Sequence, residues 1–322
     1  MYRYIVKRLL LAIPTLVGAA VLVFVLMRLV PGDVCVIRLG SGGAVSQSAV
    51  DLCRQNLGLN DPWIVQLLTF LTDYATFNFG TSMWSGNPVA REIAVRLPVS
   101  LEIAIMATVI AIAIAIPLGT ISALKENTWL DHFVRVVAIT GIATPSFWLG
   151  IMSLVLVLDI TYLATGKAWM PPIDYVPIWQ DPIRNLSIVL LPAITVGYRY
   201  SAVTMRLTRS AMLEVLREDY IRTARAKGLV EKLIINRHAL KNALLPVVTL
   251  IGIEFAFLIG GLVVTEQVFN LNGIGRLFVQ AVQNHDNVLT QALVMLVVTI
   301  FVITNLVVDL LYAWLDPRIR FS

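Results

Sequence analysis

Charged residues are scarce in this chain: 14% of its 322 residues are Asp, Glu, Lys or Arg, against about 25% in soluble proteins. Histidine occurs three times and cysteine twice, while 58% of residues are hydrophobic and the mean hydropathy is +0.80. That balance excludes a soluble globular domain. No separate basic domain and no RNA-type aromatic motif is present, so the net charge of +5 points to membrane topology and not to nucleic acid. The usual catalytic patterns are missing too. There is no G-x-x-x-x-G-K-[ST], since Gly166-Lys167 is followed by Ala168. There is no H-E-x-x-H and no G-x-S-x-G. His132, His238 and His285 are widely separated, and the two cysteines have no second Cys/His pair nearby, so no metal site is expected. The chain is expected to hydrolyse no ATP by itself.

What the sequence has is long apolar runs. Six are long enough to cross a bilayer, which takes about 20 residues: 9–30, 99–124, 133–163, 186–206, 244–265 and 289–313. The first is too long for a signal-peptide core of roughly 7–15 residues and is read as a retained span. Lys and Arg then set the orientation, because cytoplasmic loops are enriched in them. One side carries Arg3, Lys7, Arg8, Lys125, Arg135, the nine basic residues between Arg206 and Lys241, Arg318 and Arg320. The other side has half as many. The expected fold is therefore an all-α, six-span membrane protein with both termini cytoplasmic. Its parts are a tail and first span (1–30), an outer segment of short amphipathic helices (31–98), a five-span core (99–316) with a cytoplasmic loop at 207–243, and a tail (317–322).

The outer segment 31–98 is longer than a bare connection, and such loops usually carry function or structure of their own. A helix is expected over Ser48–Leu59, stopped by Gly58 and Asn60-Asp61-Pro62. Cys35 and Cys53 both fall here. In an oxidising compartment they can form a disulfide, and two unpaired small hydrophobes are the other reading. The outer loop 164–185, rich in Trp, Tyr and Pro, reads as an interfacial anchor or as contact with an external partner. Charges inside spans are costly and point to function by default. Glu102, Asp159 and Asp309 lie near span ends, but Arg199 and Glu254 lie roughly 10–12 Å in from the same face at 1.5 Å per residue. They are expected to pair, either as a satisfied interhelical contact or as a polar lining of a substrate pathway. A proton-coupled carrier is an alternative, although the acid or histidine relay of such a carrier is absent.

The densest charge lies in Arg217–Pro246, REDYIRTARAKGLVEKLIINRHALKNALLP. Glu218 and Asp219 suit the positive end of a helix dipole, and Gly228 suits a helix stop. Two short helices are expected, Glu214–Gly228 and Val230–Ala243, with Pro246 marking re-entry into the membrane. The small residues Thr223, Ala224, Ala226 and Gly228 let a partner surface come close.

The run Tyr220-Ile221-Arg222-Thr223-Ala224-Arg225-Ala226-Lys227-Gly228-Leu229, followed by His238-Ala239-Leu240-Lys241-Asn242-Ala243-Leu244-Leu245-Pro246, resembles the coupling-loop signature of ABC importer permeases of the dipeptide/oligopeptide/nickel group. Shorter pieces agree in order: Pro31-Gly32-Asp33, Leu57-Gly58-Leu59, Phe79-Gly80-Thr81-Ser82, Thr144-Pro145-Ser146-Phe147-Trp148, Gly273-Ile274-Gly275-Arg276 and Asp316-Pro317-Arg318-Ile319-Arg320. Val34 stands where the group often has proline. The resemblance implies a type I importer subunit in a bacterial inner membrane. It implies a second homologous permease, two cytoplasmic ATPases that use ATP and Mg, an extracytoplasmic binding protein, a peptide substrate, and a nickel chelate or glutathione as alternatives. Thr223, Ala224, Ala226 and Gly228 would then make the close contact to an ATPase. Glu218, Asp219, Arg222 and Lys227 would make polar bonds, with Tyr220 and Leu229 beside them.

Overall fold

The computed structural model describes residues 2–29, 34–40, 46–56 and 58–315. Pro31-Gly32-Asp33, Leu57 and the tail 316–322 lie outside the described residues. The elements run α1 (Tyr2–Leu29), α2 (Val34–Gly40), α3 (Gln47–Asn56), α4 (Trp63–Ala75), α5 (Val89–Leu124), α6 (Trp129–Ala143), α7 (Ser146–Thr165), α8 (Pro182–Leu216) and α9 (Asp219–Ala226). They continue with α10 (Glu231–Leu233), a π turn (Ile234–Ala239), α11 (Leu240–Gly261), α12 (Val263–Val268), α13 (Ile274–Gln283) and α14 (Asn287–Leu315). Six helical stretches are long and apolar enough to cross a membrane: 6–29, 89–124, 146–165, 182–216, 231–261 and 287–312. The chain is a multi-pass, all-helical membrane protein. Its apolar outer faces are what lipid solvates, and its backbone polar groups are satisfied within helices.

The bounds depart from the hydropathy reading in three places. The run 133–163 is not one span, because Pro145 supplies no N–H and forces Thr144 into an extended conformation (φ −86°, ψ 126°), so α6 ends and α7 begins. Span four does not stop at 206; α8 continues as one helix to Leu216. Its start is sharp, with Asp181 accepting from Arg184 N at 3.0 Å and Pro182 in the first turn. The fifth span begins at Glu231, so Pro246 lies inside α11.

The centre of the bundle is α5 against α8, with α11 across them. Ile103, Ala104, Ala107, Ile188, Val189, Ala193, Leu258 and Ile259 form its buried cluster. Without much hydrophobic drive between helices in lipid, small residues at the contact decide how closely they pack. Gly119 sits under the Met205 carbonyl and Gly197 under that of Ala107. At the periphery, Arg8 Nη1 of α1 pairs with Asp309 Oδ2 of α14 at 2.9 Å. Among the residues of α7 only Gly150 is buried.

Candidate functional site

The end of the bundle that carries α9 is built on the long α8. Leu216 ends it, Glu218 turns the chain in extended conformation, and α9 follows. Ile221 and Ala224, three apart and so on one face, are buried against Met212, Ile234, Ala239, Ala243 and Ala123. Ala224 is thus a core residue of this chain, not part of the outward contact expected of it, because the three-residue spacing turns it inward with Ile221. The outward face carries Glu218, Asp219, Tyr220, Arg222, Thr223, Ala226, Lys227, Gly228 and Leu229, all exposed. Arg222 Nη1 pairs with Asp219 Oδ1 at 3.2 Å. Thr223 Oγ1 donates to Asp219 O at 2.9 Å, and Tyr220 Oη accepts from Asn242 Nδ2 at 2.8 Å.

Gly228 has φ +75° and open space where a Cβ would lie. Within this chain its glycine serves the left-handed turn. The second short helix expected at Val230–Ala243 is not separate: α10, the π turn and α11 run on as one rod, because Ile234, Ala239 and Ala243 are all drawn into the same cluster. Arg225 Nη2 ties α9 back to Glu231 Oε1 at 2.7 Å. The knob is therefore one short helix held in the angle of two long ones. Beside it lies a cavity of about 520 Å³ lined by Ser210, Leu213, Glu214, Arg217, Glu218 and Asp219.

One constellation escaped the sequence reading. Asp131, in the first turn of α6, is fully buried. Its Oδ1 accepts from Arg209 Nε at 2.7 Å and Ser122 Oγ at 2.6 Å. Its Oδ2 accepts from Arg209 Nη2 at 2.8 Å and Asn127 N at 3.1 Å. The Arg209 guanidinium, helped by Ser122 and Asn127, holds the Asp131 carboxyl far below the usual carboxylate range despite its burial. An acid in a first helical turn is ordinary, so nothing in the sequence singles it out, and Arg209 reads as one of the nine basic residues that set the orientation.

No direct ion pair joins Arg199 to Glu254 among the described residues, although the Arg199 charge still reaches the acid. Glu254 Oε2 instead accepts from Thr204 Oγ1 at 2.9 Å. Equal depth did not give equal direction: Ser201, Thr204, Met205 and Thr208 form the buried face of α8, and Arg199 stands on the exposed one.

Between α1 and α4, Cys35 and Cys53 are joined in a disulfide, their Cα atoms 5.8 Å apart. Denatured, non-reduced protein is expected to present no free thiol. Cys35→Ser should cost the segment about 3 kcal/mol by the loop-entropy argument, read as faster proteolysis of residues 34–56. The Phe79-Gly80-Thr81-Ser82 turn is held by Asp286, buried at the start of α14, whose Oδ2 accepts from Ser82 Oγ at 2.5 Å and whose Oδ1 accepts from Leu289 N at 3.0 Å. The Gly273-Ile274-Gly275-Arg276 run is held by Glu266, also fully buried. Its Oε1 accepts from Ser100 Oγ at 2.6 Å and its Oε2 from Arg276 N at 2.8 Å. Ser100 Oγ in turn accepts from Ile274 N at 2.8 Å. The loop before α8 is latched to α5, with Tyr175 Oη donating to Glu102 Oε2 at 2.7 Å.

Two family models match end to end along this architecture. Residues 1–104 match the N-terminal part of a binding-protein-dependent transport system membrane component. Residues 115–321 match the binding-protein-dependent transport system inner membrane component. The chain is 41% identical over 322 residues, all of both chains, to the glutathione transport system permease protein GsiC of Salmonella paratyphi A. It is 37% identical over 342 residues, again all of both chains, to the dipeptide transport system permease protein DppB of Alkalihalophilus pseudofirmus. A Brucella abortus protein provisionally named a peptide transport system permease is 39% identical over 318 residues, 99% of each chain. This chain belongs to the inner-membrane-component family of binding-protein-dependent transport systems, and it is a permease of an ABC importer.

Proposed function

We propose that this chain forms half of the translocation pathway for short peptides in a bacterial inner membrane, with both termini cytoplasmic. It pairs with a second, homologous permease and is driven by two ATPase subunits that bind ATP and Mg. An extracytoplasmic binding protein delivers the substrate. The observation that carries the coupling role is α9: apolar on its inner side, polar and small on its outer side, and braced by α8 and α11. Closing of the ATPase dimer draws this knob and its counterpart together and turns the bundle outward; hydrolysis resets it. The excess of Lys and Arg on the α9 side supports the orientation. Relatives named for dipeptide and for glutathione support the substrate class, since glutathione is itself a tripeptide. Arg199, on an exposed face of α8, supplies a charge to the surface that the second permease and the pathway share.

The test is ATPase activity and uptake by the reconstituted assembly with its encoded partners. Stimulation by the binding protein with a di- or tripeptide is expected. Asn and Asp both tolerate the left-handed conformation better than other side chains, so Gly228→Asn and Gly228→Asp keep the turn while filling the outward space. Both are expected to cut stimulated uptake about tenfold or more, the effect of losing 1.4 kcal/mol of contact. Wild-type coupling in Gly228→Asn would place the ATPase contact elsewhere.

A further inference from the structure

We propose that the cavity between α1, α4 and the start of α14 is a binding site for a phospholipid with a zwitterionic, amine-bearing headgroup. The cavity holds about 980 Å³ and is lined by Phe24 and Arg28 of α1, Gln66 and Asp73 of α4, and Asn287 and Gln291 of α14. The disulfide-stapled α3 forms one side of it at Arg54. Its level is fixed by the spans that wall it. Arg28 is in the last turn of the span 6–29 and Asn287 opens the span 287–312, so the cavity lies where two spans leave the hydrocarbon. It is also at the end of the bundle far from α9: Val89 at the start of α5 packs on Leu289, whereas Ala123 near the other end of α5 packs on the α9 cluster.

The charges in this cavity are unmatched. Arg28 Nη1 donates to Phe24 O at 3.4 Å, Nη2 donates to Gln66 Oε1, and the Phe24 ring covers the guanidinium at 3.5 Å. A guanidinium has five N–H donors; two are used in these bonds and three remain. Among the described residues no carboxylate pairs with Arg28, and no cation pairs with Asp61 or Asp73, which line the same cavity. Asp73 Oδ1 accepts from the neutral Asn78 Nδ2 at 3.3 Å. Arg54 is engaged within its own segment, 3.8 Å from Asp51 Oδ1. Charge at the edge of the hydrocarbon is costly unless it is matched. A headgroup that carries both signs matches it on both sides: its phosphate meets the planar fork of Arg28, and its ammonium meets the carboxylates.

The same charges would suit a free peptide zwitterion, and the surroundings decide for lipid. On α1, Arg28 stands between Phe24, which lines the cavity, and Val25 and Leu29, which do not. With Leu22 and Leu26 these two make an apolar strip, 41% to 69% exposed, on which acyl chains can lie beside the guanidinium. On α4, Gln66 and Asp73 are seven apart and so share the face toward the cavity. Ile64 and Leu68 occupy the opposite face and are exposed, as is Trp63 at the start of the helix. A helix of 13 residues is too short to span. Polar toward the cavity and apolar on the other side, with a Trp at its end, it belongs at the interface. A soluble peptide has no use for these strips, whereas a lipid needs a polar seat for its head and an apolar one for its chains.

The experiment uses the full assembly with its encoded partners in nanodiscs of phosphatidylglycerol. A trace of phosphatidylethanolamine with a photoreactive group near the glycerol end of one acyl chain is added, and the labelled peptides are mapped after irradiation. In the unaltered chain the label should fall on residues 22–29 and 63–75. Unlabelled phosphatidylethanolamine should displace it about tenfold more effectively than phosphatidylcholine, whose ammonium has no N–H to donate. Arg28→Gln removes the cation, and Asp61→Asn with Asp73→Asn removes the carboxylates; each variant should cut the labelling about tenfold. Unchanged labelling in either variant, or equal displacement by the two lipids, overturns the proposal. Displacement of the label by a soluble dipeptide assigns the cavity to peptide and overturns it as well. Assembly yield is measured alongside, and if both variants fail to assemble, the charges are folding elements and the proposal falls.

Discussion

Glu266→Ala is expected to release the α12–α13 hairpin from α5. Its carboxylate is the acceptor for Ser100 Oγ and the Arg276 N–H, and all of it is buried. Truncation orphans these donors where water cannot replace the acceptor, at about 1–3 kcal/mol for each. Gly273 makes the arrangement intolerant of compromise: a Cβ there would lie 2.3 Å from the Glu266 carboxyl carbon and 2.5 Å from Ser100 Oγ. Summed over the two donors, the loss comes to about 2–6 kcal/mol of local stability. Amide hydrogen exchange over residues 263–283 should then accelerate by roughly thirtyfold to ten-thousandfold, at tenfold per 1.4 kcal/mol. Glu266→Gln keeps one carbonyl acceptor but turns an NH₂ group toward the other donors, so it should fall between the two. Exchange unchanged in the alanine variant would mean that apolar packing alone holds the hairpin.

The second large effect is expected at the α5–α8 contact. A Cβ on Gly197 would stand 2.8 Å from the Ala107 carbonyl oxygen and 3.1 Å from Ile110 Cβ. The obstacle is backbone, so no rotamer change relieves it. Alanine gains about 1 kcal/mol of helix propensity over glycine, and overpacking costs about 1–3 kcal/mol. Gly197→Ala should therefore be mildly destabilising, and Gly197→Val, bulkier and β-branched, should prevent the two helices from closing. The readout is the yield of monodisperse protein in mild detergent and its thermal midpoint. Gly18→Ala in α1 is the control, because nothing lies within 4 Å of that Cβ and only the propensity gain remains. If valine is accepted at both Gly197 and Gly119, α5 and α8 are not packed with these glycines against backbone carbonyls as described.

The number of spans, and the expectation of which side bears α9, follow from composition along the chain. Twenty apolar residues and a loop dense in Lys and Arg are local quantities, and the bilayer reads them locally. The helix stop was readable for the same reason: Gly228 punctuates the end of α9. Helix ends were less so. Hydropathy measures how much of a helix lipid can cover, whereas hydrogen bonding carries α8 to Leu216 in water and starts the fifth rod at Glu231.

Partnerships across long separations were beyond any local pattern. Ser82 meets Asp286 across 204 positions, Ser100 meets Glu266 across 166, and Arg209 meets Asp131 across 78. The short runs around Ser82 and Gly273 could be recognised as pieces of a family signature, but their reason is a buried carboxylate in each case. Arg199 and Glu254 teach the converse, since matching depth placed them level while the rotation of α8 gave the direct hydrogen bond to Thr204 and left Arg199 acting on the acid only through its charge. Depth in a membrane is a sum over residues and can be counted along a chain. Direction around a helix becomes an interaction only when another helix is packed against it, and that packing is settled by small residues such as Gly119 and Gly197, whose contacts lie in distant parts of the chain.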